Sequence, residues 1–194
     1  MDYPKPFNES VFSGFPLLET PRLVLRETRV EDEEVLLQIY ADPLVRQFTG
    51  RQLFKSAEEA RAWLDMIHAL FPEKKAIHWA IVLKENRKYI GSIAFWRILK
   101  QHRRAEIGYD LLPACWKMGL MQEAMQAFLL FGFSKMNLHS VEANVTPENQ
   151  ASVNLLQKNG FVREGLFKQN YFDKDKFVDT ASFSLLARNF RPEF

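Results

Sequence analysis

The chain has 194 residues, and 26 Lys and Arg against 24 Asp and Glu leave a formal net charge of +2, which excludes a heavily basic or polyanionic class. Hydrophobic residues make up 47% and charged residues 26%, enough apolar content to build a core and too much for disorder along the whole chain. The single cysteine, Cys115, excludes an internal disulfide or a thiolate metal cluster and fits a reducing compartment.

No Pro-, Gly- or Ser-rich stretch divides the chain, so one domain is expected over 17–194, preceded by an N-terminal arm over 1–16. The opening MDYPKPFNES has no basic n-region followed by an apolar h-region. The longest apolar runs, such as 127–131, fall far short of the ~18 residues of a membrane span, so a cytoplasmic protein with no membrane partner is expected. Seventeen Phe, four Trp and five Tyr suggest either a core of large flat side chains or an aromatic-lined pocket.

In chain order, Phe7, Val11, Phe12 and Phe15 give the arm a means of docking. Leu23, Val24 and Leu25 predict a first strand after Pro21. Val35, Leu36, Ile39 and Tyr40 share one face of a helix over 31–40, which Asp42-Pro43 is expected to stop. Ser56-Ala-Glu-Glu59 reads as a capping box opening a second helix, with Ala60, Trp63, Leu64, Ile67 and Leu70 as its buried stripe, ending before Pro72. Strands are predicted over 78–83 and 89–96 around a polar turn, and a third over 104–112. The longest amphipathic helix spans 118–136, followed by a strand over 140–145, a helix over 148–159 stopped by Asn159-Gly160, and strands over 161–171 and 176–186. This order predicts a mixed α/β or α+β fold with helices on the faces of the sheet.

His68, His78, His102 and His139 lack metal-ligand spacing, and no dinucleotide or P-loop glycine motif is present. Lys100, His102, Arg103 and Arg104 form only a short basic cluster, so no direct nucleic-acid partner is expected. The informative stretches are RAEIGYDLLPACWKMGLMQE, where a strand with Glu106 leads to a helix start at Met118 and Gly119, and NVTPENQASVNLLQKNGF, where Asn149 and Ser152 lie three apart on a helix.

Together with ETPRLVLRE, these segments resemble the GCN5-related N-acetyltransferases, more closely the RimJ/RimL-type branch, over residues 20–187. The resemblance implies a mostly antiparallel sheet splayed at its centre, acetyl-CoA as cosubstrate, no metal, and direct acetyl transfer to a primary amine, either a protein N-terminus or a small molecule such as an antibiotic or polyamine. It further implies that Glu106 takes the amine proton and that the Leu111 amide meets the thioester carbonyl. Met118, Gly119, Leu120 and Met121 would offer amides to the pyrophosphate, while Asn149 and Ser152 line the sulfur end, with Ser152 as donor to the leaving thiolate. Two departures stand out: Trp116-Lys117-Met118-Gly119-Leu120-Met121 keeps only Gly119 of the usual phosphate loop, and Leu155 and Leu156 replace a helix tyrosine. They leave a second reading open, a catalytically weakened acyl-CoA-binding or protein-interaction module. Phe48, Phe54 and the arm's Phe7, Phe12 and Phe15 remain candidates for an apolar acceptor wall or a homodimer contact.

Overall fold

Successive side chains of a strand point to opposite faces of the sheet, and over 77–82 and 89–95 both faces are buried. The computed structural model describes residues 5–50, 52–173 and 175–192; residues 1–4 of the predicted arm, residue 51 in the first loops and residues 193–194 lie outside the described residues. The strands are β1 (Leu18–Glu19), β2 (Leu23–Glu27), β3 (Ile77–Leu83), β4 (Tyr89–Leu99), β5 (Arg104–Leu111), β6 (Ser140–Val145), β7 (Val162–Asp173) and β8 (Lys176–Leu186). They form an eight-stranded sheet in the order β1-β2-β3-β4-β5-β6-β8-β7. Among the described residues every pairing is antiparallel except that of β5 with β6. The helices are α1 (Glu33–Ala41), α2 (Pro43–Arg46), α3 (Ala57–Leu70), α4 (Leu120–Ser134) and α5 (Gln150–Lys158).

On β3, Ile77, Trp79 and Ile81 face a core shared with Leu120, Phe128 and Leu129 of α4 and Leu156 of α5. Ala80 and Val82 face the other side, where Leu36 and Ile39 of α1 meet Leu64 and Ile67 of α3. The fold is therefore the expected mixed, mostly antiparallel sheet with helices on both faces. Aromatic rings dominate the first core: Phe95 and Phe128 stack at 3.8 Å, and the Trp79 ring lies 5.6 Å from Phe128 and 5.5 Å from Phe131. Gly132 makes this approach possible, because a Cβ there would stand 2.5 Å from Phe95 Cζ.

The arm docks on the same core. Phe12 and Phe15 pack against Phe71 at 5.3 and 5.1 Å, and the Trp79 indole donates to the Pro16 carbonyl at 2.7 Å. Asn8 holds the end of α4 through the Lys135 and Met136 carbonyls. Phe7, Phe12 and Phe15 thus extend the core, which removes them as candidates for an acceptor wall.

Three local expectations change. Asp42-Pro43 ends α1 but also opens α2: the Asp42 carboxylate accepts from the Leu44 amide at 2.8 Å, and Pro43 sits in the first turn, where a missing N–H costs nothing. The Ser56 capping box is displaced by one residue, since Glu59 accepts from the Lys55 amide at 2.5 Å and the Ser56 hydroxyl makes no cap bond. Helix α4 starts at Leu120, after Gly119 at φ 73°, two residues later than its apolar periodicity implies.

Candidate active site

The centre of the sheet opens where β5 and β6 part. Their pairing runs from Arg104 with Ser140 to Glu106 with Glu142 and stops. Beyond it β5 continues against β4 as far as Leu111, and β6 continues against β8 as far as Val145. The Leu112 amide donates to the Ile90 carbonyl at 2.8 Å. Because an antiparallel ladder alternates, the amide of Leu111 faces the opposite edge, towards the gap. On that edge the Leu111 carbonyl accepts from the Trp116 indole at 2.7 Å.

A cavity of about 760 Å³ occupies the gap and the α1–α3 side of the sheet. It brings together Glu106, Asn149 and Ser152 of the expected site residues; Leu111, Met118, Gly119, Leu120 and Met121 lie outside its wall, at the α4 end. Glu106 is the last residue of β5 to pair with β6. One of its carboxylate oxygens meets the Arg97 guanidinium at 2.9 Å and the other accepts from Asn144 at 3.4 Å. Arg97 reaches back because the β4–β5 register slips between Trp96 and Leu99, with Arg97 at φ 46°. Asn149 caps α5 by accepting from the Ser152 amide at 3.1 Å, which leaves its amide nitrogen for a ligand.

Phe48 lines the cavity, whereas Phe54 packs edge-on to Tyr40 at 5.1 Å in the second core. The β7–β8 hairpin bends over the opening with Phe167 and Tyr171. Close approach to the first loops requires Gly50, where φ is 61° and a Cβ would meet the Tyr171 ring at 2.7 Å.

At the α4 end, the first helical amides have no intrahelical acceptor and carry the positive end of the helix dipole. A Cβ at Gly119 would find only Arg22 Nη2, at 3.6 Å, so the approach is open and has a cation beside it. Arg22 is held by Glu123 at 2.6 Å and by the Met118 carbonyl at 3.0 Å. The Met121 side chain packs on the main core and Met118 is exposed. These groups fit a diphosphate, and the free edge of β5 fits an extended thioester arm.

One cluster at the cavity floor escaped the sequence reading. The Asp110 carboxylate accepts from the Tyr40 hydroxyl at 3.1 Å, from the Ser92 hydroxyl at 3.0 Å and from the Ser92 amide at 3.1 Å. Arg46 is buried beside it, its guanidinium 3.9 Å from the Tyr40 ring centre. Period two along β5 puts Asp110 on the face of Glu106, a signal the sequence did carry. Burial pushes the Asp110 carboxyl above the usual carboxylate range; its hydrogen bonds and the Arg46 charge pull the other way. Between the unfolded value near 3.9 and the raised folded value, the native state keeps a proton that the unfolded chain has lost, so this group makes stability fall as pH rises. Asp110→Asn, which cannot ionise, is therefore expected to lose less stability than the parent between about pH 4 and neutrality. Urea midpoints across that range check this; parallel pH profiles would contradict it.

A protein-family model described as the acetyltransferase (GNAT) domain matches residues 22–162. The uncharacterized N-acetyltransferase p20 of Bacillus licheniformis is 38% identical over 173 residues, covering 89% of this chain and 97% of that one. The [ribosomal protein uS5]-alanine N-acetyltransferase of Escherichia coli is 25% identical over 187 residues, covering 90% and 93%. The crystal structure of a GNAT-family acetyltransferase from Bacillus anthracis superposes with a TM-score of 0.80 at 25% identity, covering 89% of this chain and 99% of that one. A sheet parted at its one parallel junction, and a sequence match that spans both sides of that junction, have a single common account: the chain belongs to the GNAT family of N-acetyltransferases.

Proposed function

We propose that this chain transfers acetyl from acetyl-CoA directly to a primary amine, with Glu106 as the group that takes the amine proton. The observation that carries this reading is the meeting of Glu106, Asn149 and Ser152 in one cavity at the β5–β6 gap. Acetyl-CoA supplies the activated acyl carbon. The α4 amides of Leu120 and Met121, with Met118 and Gly119 in the preceding turn, bind the pyrophosphate, and Arg22 adds a positive charge beside them. The Leu111 amide, on the free edge of β5, holds the thioester carbonyl and stabilises the oxyanion that forms there. Asn149 and Ser152 receive the sulfur end, where Ser152 donates to the departing thiolate.

On the acceptor side, Glu106 accepts a proton from the incoming ammonium, directly or through a water. Glu106, Glu142 and Asp173 line the cavity, carboxylates to which a cationic acceptor can bind. An α-amine with pKa near 8 gives up its proton more readily than a lysine near 10.4. Relatives bear on both acceptor classes: the uS5-alanine N-acetyltransferase is named for a ribosomal protein, and a spermidine N(1)-acetyltransferase of Vibrio cholerae is 26% identical over 110 residues. The acceptor is thus a peptide N-terminus or a small polycationic amine.

Incubation of the purified chain with acetyl-CoA and a panel of N-terminal peptides and polyamines, with CoA release and product mass as readouts, tests the reading. Acetylation of at least one amine class is expected. Acetyl-CoA binding with no amine acetylated would instead identify the chain as an acyl-CoA-binding module.

A further inference from the structure

Two phenol oxygens among the described residues are buried with no hydrogen-bond partner, those of Tyr89 and Tyr109. An unsatisfied buried hydroxyl costs stability, so its persistence calls for a use. Tyr89 packs in the second core, away from the cavity. Tyr109 lines the cavity together with Ser152. It sits on β5 opposite Ile93, between Ile107 and Leu111, its ring against the core under α4 and α5. Helix α5 packs on this same core through Val153, Leu155 and Leu156, so Ser152 borders the cavity on the side that Tyr109 faces.

We infer that Tyr109 is a positioning residue for the leaving group: its O–H donates to the Ser152 oxygen when the Ser152 O–H turns to the sulfur. This inference rests on the acetyltransferase reading above. In the transfer, the amine lone pair forms the C–N bond and the C–S pair departs on sulfur. The amine proton passes to Glu106 and on to solvent. The sulfur leaves as a thiolate held by Ser152, and takes a proton from solvent on release. A serine that donates to an anion becomes a better acceptor, so a second donor behind it strengthens the chain of bonds. Burial raises the Tyr109 phenol to about 12, with Ser152 pulling slightly the other way, so Tyr109 keeps its proton and remains a donor through the working pH range. The polar end that Leu155 and Leu156 cannot supply from α5 comes from the neighbouring strand.

Tyr109→Phe keeps the ring and removes only the hydroxyl. It is expected to lower kcat by roughly three- to tenfold, the scale of one net hydrogen bond, with KM for the amine unchanged. Ser152→Ala is expected to cost more, and the double variant no more than Ser152→Ala alone, because Tyr109 acts through Ser152. Multiplying effects, as from two independent structural roles, would overturn the proposal. The second readout is binding: calorimetry of CoA against desulfo-CoA, which has no sulfur, from neutral to about pH 9, across the usual thiol range near 8.5. The parent is expected to favour CoA increasingly as its thiol ionises, and Tyr109→Phe to favour it less. The parent measurement stands even if the variant misfolds: a preference that does not rise with pH would overturn the proposal. Failure of the parent to bind acetyl-CoA would remove the acetyltransferase reading itself, whereas normal acetylation with an unchanged Tyr109→Phe profile would remove only this inference.

Discussion

Changing Glu106 to Gln is expected to lower kcat by about a hundred- to ten-thousandfold, the range for loss of a general base, while leaving acetyl-CoA affinity unchanged. The carboxylate lies at the last rung of the β5–β6 pairing and lines the cavity. Its partner Arg97 is 78% exposed, so that ion pair contributes little to stability, on the order of 0–1 kcal/mol. Gln preserves size and can still bond Asn144, so a loss of turnover would not come from a collapsed site. Separate measurement of kcat, KM for the amine and the acetyl-CoA Kd checks this. Equal losses in turnover and acetyl-CoA affinity would assign Glu106 to cofactor binding, and no loss would remove it from the chemistry.

The largest stability effect is expected at Phe128. Its ring is fully buried, stacks on Phe95 at 3.8 Å and meets Trp79 edge-on at 5.6 Å. Phe128→Ala should cost about 3–5 kcal/mol, since the surrounding rings cannot collapse into the space left behind. The same helix starts with the amides proposed to bind the pyrophosphate, so the variant should also weaken acetyl-CoA binding at temperatures where it is still folded. Urea denaturation gives the first effect and calorimetry the second. A loss below about 1 kcal/mol would mean that the aromatic core repacks freely.

Period and punctuation made most of the elements legible. Strand β6 falls on the predicted residues, and α5 and the β7–β8 hairpin lie within two residues of their predicted ends. Burial alternates along β6, and α5 ends at Asn159-Gly160, so there local signals and tertiary packing agree. The misses arose where one local signal has two meanings. Pro43 ends α1 and starts α2 because proline is unfavourable inside a helix yet favourable in its first turn. Glu59 reaches back to an amide, but to that of Lys55, a choice set by the chain's approach and not by the four-residue pattern.

The site was legible on one side only. Glu106, Asn149 and Ser152 belong to two continuous segments whose order carries the resemblance. The opposite wall draws Tyr40 from α1, Arg46 from α2, Ser92 from β4 and Asp110 from β5, four elements that only the folded sheet brings together. The Tyr109 ring sits between the main core and the cavity wall. That its hydroxyl has no partner depends on the exact separation of β5 and α5, which no residue pattern encodes.

The most direct test of the account is a crystal structure of this chain with CoA bound. The pantetheine arm is predicted to run along the free edge of β5 between β5 and β6, with the Leu111 amide beside the thioester position, the sulfur at Ser152 and the pyrophosphate over the start of α4 at Gly119. CoA bound away from the β5–β6 gap, or a pyrophosphate displaced from the α4 terminus by Met118 or Met121, would contradict it.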